Sequence, residues 1–462
     1  MLASPSAGAP DTVTSPFHGW LAAVVPAGAR TFRVDDPALE ITLRDAGADL
    51  VAANPDVEIA SPAHASDDAS HVIVTVDAGQ GEGGGRFVRA VRRLRGSLHA
   101  RLLAARVRRA VERRGYGATS VVLWDLEQLI YLPRRPHDRG RRFAERLPQR
   151  ALVVGSRSEH AETILDSVVN EVANRLGDRV EYGLPLARVG LTLVIADDYV
   201  VRVAVGSGRR KLELQRDALQ LLRAAEPGPS VGDRVPWLEA SGRLGLADWS
   251  VERRLPGETT ASLAAGVLAD SVDFLVALHA TRAGSTLVPL TREAKILATV
   301  CDDERAKVVT EVALRLDSRL ADLPRGFGHG DFWTRNLLVE EGRLTGVIDW
   351  DAATPDRLPL LDLLHLHLSA HRERTREYLG PALLRYLLPW ARSGGDDTVL
   401  LYCRRLGLDV DASVLEDLAI AYWLTRVAFE VSLFADRAER PIWMQNNVES
   451  VLDAIAMEKR PI

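Results

Sequence analysis

The sequence predicts an α/β plus α+β protein, with an α/β domain first, a sheet-rich segment next and a long helical part last. Three observations predict it. Short β-branched runs alternate with helical stretches over residues 16–156, two adjacent strand-like runs precede a helix within 157–255, and helical periodicity dominates 256–462 except at one hairpin. A chain of 462 residues is also too long for one core and suits two or three, at roughly 150 residues each.

Residues 1–15 are rich in Ala, Ser and Pro without any helical or strand period, so they read as a flexible tail. Strands are then predicted at Thr31–Val34, Val57–Ala60, His71–Asp77, Ser120–Leu126 and Ala151–Val154, with helical stretches between them. This alternation points to a Rossmann-like layer with a largely parallel sheet. The run from Gln80 through Gly83, Gly84 and Gly85 to Arg86 lacks the Lys-Ser/Thr ending of a phosphate loop and the spacing of a dinucleotide fingerprint, so it reads as a flexible connection. Residues 86–116 then carry eleven arginines against the single acid Glu112. Apolar Val88, Val91, Leu94, Leu98 and Leu102 recur among them at helical spacing. In a chain with only four lysines this is first a solvated arginine face; the alternative is a grip on an acidic or anionic partner.

The formal charge of -5 implies no global attraction to nucleic acid or anionic lipid, so no nucleic-acid partner is expected. Only Cys301 and Cys403 are present, too few for a disulfide framework or a metal knuckle. Pro5, Pro10 and Pro16 interrupt the start of the chain and no Lys or Arg precedes Arg30, unlike a signal peptide. No apolar run approaches the roughly 18 residues of a membrane span. These features together predict a water-soluble, cytoplasmic protein.

Glu159–Leu176 reads as an amphipathic helix leading into the second region. Leu191–Ile195 and Tyr199–Val205 flank Asp197 and Asp198 as a hairpin, and Leu212–Ala225 follows as a helix. The chemistry is concentrated further on, in His329-Gly330-Asp331-Phe332-Trp333-Thr334-Arg335-Asn336 and in Ile348-Asp349-Trp350. Between them, two apolar runs around Glu341-Gly342 predict a hairpin in which 340 faces 343, 338 faces 345 and Asn336 faces Val347. Asp331, Asn336 and Asp349 then converge at one end of the ladder. Two carboxylates and a carboxamide are hard oxygen donors, a set suited to Mg²⁺ shared with substrate phosphates. Phosphoryl transfer needs that set for positioning and charge neutralisation, plus a base for the acceptor proton.

His329-Gly330-Asp331 with Asn336 five residues after the aspartate, followed by Ile348-Asp349-Trp350, resembles the aminoglycoside phosphotransferase and choline kinase family. Leu255-Pro256-Gly257-Glu258-Thr259, Ala277-Leu278-His279 and Leu361-Asp362-Leu363 fit the same resemblance, which covers residues 157–462. It implies a bilobal protein-kinase-like domain with its N-lobe at 157–255 and helical C-lobe at 256–462. It also implies an ATP- and Mg²⁺-dependent kinase for the hydroxyl of a sugar, amino sugar or amino alcohol. On that basis Asp331 is the base, Asn336 and Asp349 are metal ligands, and His329 braces the loop. Trp333 and Thr334 shape the acceptor side, and Asp362 caps or pairs beneath the site.

The chain departs from the family pattern in its nucleotide-binding part. The phosphate-holding strand lysine is replaced by Arg202, and its helix counterpart is Asp217, with Glu213 as an alternative partner and Lys211 as an alternative cation. The loop covering the nucleotide retains only Gly190, and residues 251–254 stand at the hinge. These departures motivate a rival reading, a pseudokinase scaffold whose arginine-rich N-terminal part binds an acidic partner; a further one, an N-terminal transferase-like Rossmann relic, rests on the strand-helix alternation alone. His365, His367 and His371 lie on one helix without a third metal ligand and read as packing or surface residues. Leu418–Phe434 reads as a core helix whose Arg426 and Glu430, spaced i, i+4, are also able to line an acceptor cleft.

Overall fold

A computed structural model of the protein describes residues 21–35, 37–52, 55–60, 69, 71–77, 105–114, 116, 118–124, 129–130, 150–157, 162–176, 186–188, 191–195, 198–206, 208–260, 263–281, 288–433 and 435–458. The chain divides into two compact units, one of Thr14–Glu213 with Leu238–Arg254 and one of Leu214–Trp237 with Leu255–Ile462. The glycine run at 80–86 and Gly190 lie outside the described residues, as does 86–104 of the arginine-rich segment; residues 105–113 of that segment are helical.

Among the described residues, the first unit is built on one twelve-stranded sheet. Its strands are β1 (Thr31–Val34), β2 (Asp49–Leu50), β3 (Val57–Ala60), β4 (His71–Asp77), β5 (Ala118–Trp124), β6 (Leu129–Ile130), β7 (Arg150–Ser156), β8 (Leu186–Arg188), β9 (Leu191–Ile195), β10 (Tyr199–Val205), β11 (Leu238–Leu244) and β12 (Ala247–Arg253). They lie in the order β11-β12-β10-β9-β8-β6-β5-β7-β4-β3-β1-β2, so strands from both sides of residue 157 share the sheet. Pairing is parallel across β2, β1, β3 and β4. However, β7 joins β4 antiparallel and β5 joins β7 the same way, so the largely parallel sheet expected from the alternation is a mixed one. Runs such as Val72–Val74 are apolar throughout, and such a run does not encode the direction of its neighbour.

Two helices show why this unit packs. In α1 (Pro37–Asp45), Leu39 and Leu43 are buried four residues apart. In α2 (Ile164–Leu176), Ile164, Leu165, Val168, Val169 and Val172 form a single buried stripe. Thr163 and Asp166 close its first turn reciprocally: Asp166 N donates to Thr163 Oγ1 at 3.1 Å and Thr163 N donates to Asp166 Oδ2 at 3.0 Å. After β10 comes α3 (Gly208–Ala224), whose Leu212, Leu219 and Leu222 are buried.

The second unit is helical, with α4 (Ala265–Ala280), α5 (Thr291–Ala298), α6 (Asp303–Arg319), α7 (Leu361–Thr375), α8 (Asp397–Leu406) and α9 (Ala412–Leu433). Among the described residues two small sheets interrupt it: β15 (Leu337–Glu340) lies between β13 (Glu258–Thr259) and β16 (Arg343–Val347), while β14 (Gly326–Gly328) pairs with β17 (Thr354–Arg357). Among the described residues no helix is long and apolar enough to cross a membrane.

The hairpin turns at Glu341 and Gly342, whose φ values of 50° and 74° are the left-handed pair that a tight two-residue turn requires. Glu340 faces Arg343 as expected, but Leu338 faces Gly346 and Leu337 faces Val347 because the register shifts by one residue. Thr345 is the extra residue of this bulge. Its hydroxyl donates to Pro256 O at 2.7 Å and lies 3.2 Å from Leu338 O, a side-chain bond that competes with the regular ladder. In consequence Asn336 sits opposite Ile348, where Ile348 N donates to Asn336 O at 2.9 Å, rather than opposite Val347.

Candidate active site

The loop from His329 to Asn336 is anchored by its apolar residues. Phe332 is fully buried and stacks on Phe274 at 5.8 Å between ring centroids, while the Trp350 ring meets the His329 ring edge-on at 4.7 Å. Trp350 Nε1 donates to Val347 O at 2.8 Å, which ties the second motif to β16. The alternating polar residues are thereby turned out of the core toward one another.

His329 serves as the brace. Asp331 N donates to its Nδ1 at 3.2 Å, so Nε2 carries the proton and donates to Ile348 O at 3.1 Å. Burial lowers the pKa of this ring, in keeping with a neutral imidazole. Beneath the loop, the buried Asp362 accepts from His329 N at 2.7 Å and Gly330 N at 2.9 Å, and pairs with Arg357 at 3.2 Å. Gly330 has φ +81°, and a Cβ there would lie 2.1 Å from Ala352 O. Gly330→Ala is accordingly expected to cost about 3 kcal/mol in denaturant unfolding, from left-handed strain and overpacking together.

Asp331 and Asn336 are in direct contact. Asn336 Nδ2 donates to Asp331 O at 2.9 Å and to Asp331 Oδ2 at 3.0 Å, leaving its Oδ1 without a hydrogen bond among the described residues. Asp349 follows Ile348, the residue bonded to Asn336, and has φ +70°, a conformation costly for any residue with a side chain. The donor set is therefore one carboxylate and one amide oxygen around a polar bend. It fits Mg²⁺, which completes its shell with water and phosphate oxygens. Among the described residues no group of three His, Cys, Asp or Glu forms an all-protein metal cage.

The other oxygen of Asp331 has partners that the sequence did not announce. Arg426 Nη1 of α9 donates to Oδ1 at 2.6 Å, and His365 Nε2 of α7 lies 3.2 Å from the same atom. The far nitrogen of His365 accepts from the Tyr422 hydroxyl at 2.8 Å; burial pushes that phenol up to about 12, so it remains a donor. Burial alone would raise the Asp331 pKa. The Arg426 guanidinium, with His365 behind it, outweighs burial and holds the carboxyl well below the usual range. His365, read from sequence as a packing residue, thus belongs to the site. The one available signal was its i, i+3 spacing from Asp362 on the helix that follows Asp349.

The nucleotide-side residues are less assembled. Arg202 on β10 is buried and pairs with buried Glu252 of β12 at 2.9 Å, a partner the sequence reading missed. Arg202 faces Ser250 across the ladder, which places Glu252 diagonally on the same face. Asp217, expected to oppose Arg202, is an exposed residue of α3, and Glu213 is half-buried.

Burial also lowers the pKa values of His365 and His367, as it does that of His329. Depressed histidines bind protons mainly in the unfolded chain, so stability rises with pH and is lost as pH falls through about 6.5. The melting temperature is therefore expected to drop between about pH 7.5 and pH 5, whereas the stabilisation from Asp331, ionised across that window, is constant there and is lost only at lower pH.

Residues 191–395 match the model of the phosphotransferase enzyme family. Among solved structures, the chain is similar to an aminoglycoside phosphotransferase from Streptomyces rimosus at 14% identity, covering 57% of this chain and 98% of that one with a TM-score of 0.39. It is similar also to choline kinase from Streptococcus pneumoniae, at 16% identity over 63% of this chain and 99% of that one with a TM-score of 0.42. A thermostable aminoglycoside phosphotransferase mutant in ternary complex with ADP and hygromycin B shares 18% identity over 64% of this chain and all of that one, TM-score 0.41. No curated protein matches the chain significantly. The stretch that matches the phosphotransferase enzyme family model runs from β9 through the loop of Asp331, the bulged hairpin and α7.

Proposed function

We propose that the protein transfers the γ-phosphoryl group of ATP, with Mg²⁺, to a hydroxyl of a small molecule of the sugar, amino sugar or amino alcohol class. The observation that carries this reading is the contact of Asp331 with Asn336 beside Asp349, in the segment that matches the phosphotransferase family. Asp331 orients the acceptor hydroxyl and takes its proton. The acceptor oxygen forms its bond to the γ-phosphorus as the bond to the β,γ-bridging oxygen breaks, leaving ADP. Asn336 Oδ1 and the Asp349 carboxylate hold Mg²⁺, which neutralises the phosphate charge when bound. Arg202, tied to Glu252, is assigned to the nucleotide phosphates, with Gly190 in the covering loop and Asp217 as the helix carboxylate of that side. Free Cys301 and Cys403 are in keeping with a reducing cytoplasm.

One observation favours a second reading, a nucleotide-binding scaffold: both carboxylate oxygens of Asp331 are already engaged. An ADP-release assay with Mg²⁺ and a hydroxyl-compound panel separates the two. Acceptor-dependent, chelator-sensitive ADP release supports the kinase; nucleotide binding without turnover on any acceptor supports the scaffold.

A further inference from the structure

Beside the loop of Asp331 is a cavity of about 240 Å³, with Gly330 in its wall. Its charged lining is Arg292, Arg325, Arg357 and Arg426 against Glu293 and Asp356. Burial raises the pKa of Glu293, and its Oε2 has no hydrogen-bond partner among the described residues, so the acidic side is weaker than a count of residues implies. Arg357 is paired with Asp362, and Arg426 with Asp331 and Glu430, so these charges are balanced from behind; four guanidinium groups around one confined space still offer an entering carboxylate or phosphate several charge-assisted donors. Arg426 belongs to this cavity and also to the site, since it donates to Asp331 Oδ1 at 2.6 Å. It has a second anchor, because its Nε donates to Glu430 Oε1 at 3.2 Å and its guanidinium lies 5.9 Å from the Phe429 ring centroid. Releasing Asp331 therefore does not strand the guanidinium without a partner.

We propose that Arg426 covers Asp331 until an acceptor carrying a carboxylate or phosphate group enters this cavity and draws the guanidinium onto itself. Arg426 is then a specificity-determining residue: it admits hydroxyl compounds that bear an anion and leaves the base occupied toward neutral and cationic ones. The inference rests on the kinase reading and limits the acceptor, within the sugar, amino sugar and amino alcohol classes, to members that also carry a carboxylate or phosphate group.

The test is ADP release with Mg²⁺-ATP and four groups of acceptor: neutral (glycerol, glucose), cationic (choline, kanamycin), carboxylate (glycerate, gluconate) and phosphate (glycerol 3-phosphate, glucose 6-phosphate). Turnover is expected only in the last two groups, and their relative kcat/KM identifies which anion is used. Arg426→Gln is expected to lower kcat/KM on the anionic acceptor about 10- to 100-fold, chiefly through KM, by loss of a charge-assisted contact. It is also expected to raise acceptor-independent ATP hydrolysis, which a structural defect would not do, and Arg426→Lys restores part of the acceptor affinity. Neutral or cationic acceptors used as well as anionic ones overturn the inference and leave the kinase reading standing. Nucleotide binding with no turnover on either anionic group also overturns it. Failure to bind Mg²⁺-ATP at all overturns both. The wild-type charge preference decides the matter even if the glutamine variant does not fold.

Discussion

Asp331→Asn is expected to slow acceptor-dependent turnover by about 10²- to 10⁴-fold, the range lost with a positioned general base. Asparagine retains the shape, and its single amide oxygen can still accept from Arg426, which meets one carboxylate oxygen at 2.6 Å, while its NH2 replaces the oxygen that accepts from Asn336 at 3.0 Å, so that bond is lost. Nor can asparagine take the acceptor proton. The pattern that identifies the base is a fall in kcat with nucleotide affinity close to wild type, read from initial rates and a nucleotide titration on the same preparation. A parallel thermal melt accounts for any stability lost when half-buried Arg426 faces a neutral partner. Full turnover in the asparagine variant would mean that Asp331 carries no proton in the reaction.

The largest effect on stability is expected at Asp362. Its carboxylate is buried and satisfies two backbone N-H groups of the catalytic loop, His329 N and Gly330 N, besides pairing with Arg357. Asp362→Ala leaves those donors without an acceptor and Arg357 without its partner, a loss of about 3–5 kcal/mol by analogy with other broken buried pairs. Chemical denaturation measures it. Asp362→Asn, which keeps one acceptor oxygen, is expected to fall between alanine and wild type. Because Asp362 acts through the loop, the alanine variant also loses turnover, while nucleotide binding to whatever remains folded persists. An alanine variant as stable as the wild type would refute the account of how the loop is held.

Some of this arrangement was legible in the sequence because it is local. The Glu341-Gly342 turn is written in two adjacent residues, and the apolar runs on each side give the hairpin; strands such as β1, β3, β9 and β10 stand within their β-branched runs. What was not legible depends on partners far along the chain. The one-residue bulge at Thr345 is imposed by a bond to Pro256, 89 residues earlier. Arg426 and His365 reach Asp331 from helices 95 and 34 residues away, and neither helix carries a pattern that distinguishes a core residue from a site residue. Leu418–Leu424 is buried on every side in α9, so its periodicity gives no facing direction. Strand direction was hidden in the same way in the mixed sheet, where apolar runs fit parallel and antiparallel neighbours equally. The pairing of Arg202 with Glu252 follows from a diagonal across the β10–β12 ladder, which one strand's sequence does not contain.

The central claim is that Asn336 and Asp349 hold magnesium on the nucleotide beside Asp331. Calorimetric titration of ATP into the wild type and Asp349→Asn, each with and without Mg²⁺, tests it most directly. The expected result is wild-type binding that strengthens markedly with Mg²⁺ and a variant in which that strengthening is lost. Equal enhancement by Mg²⁺ in both proteins would contradict it.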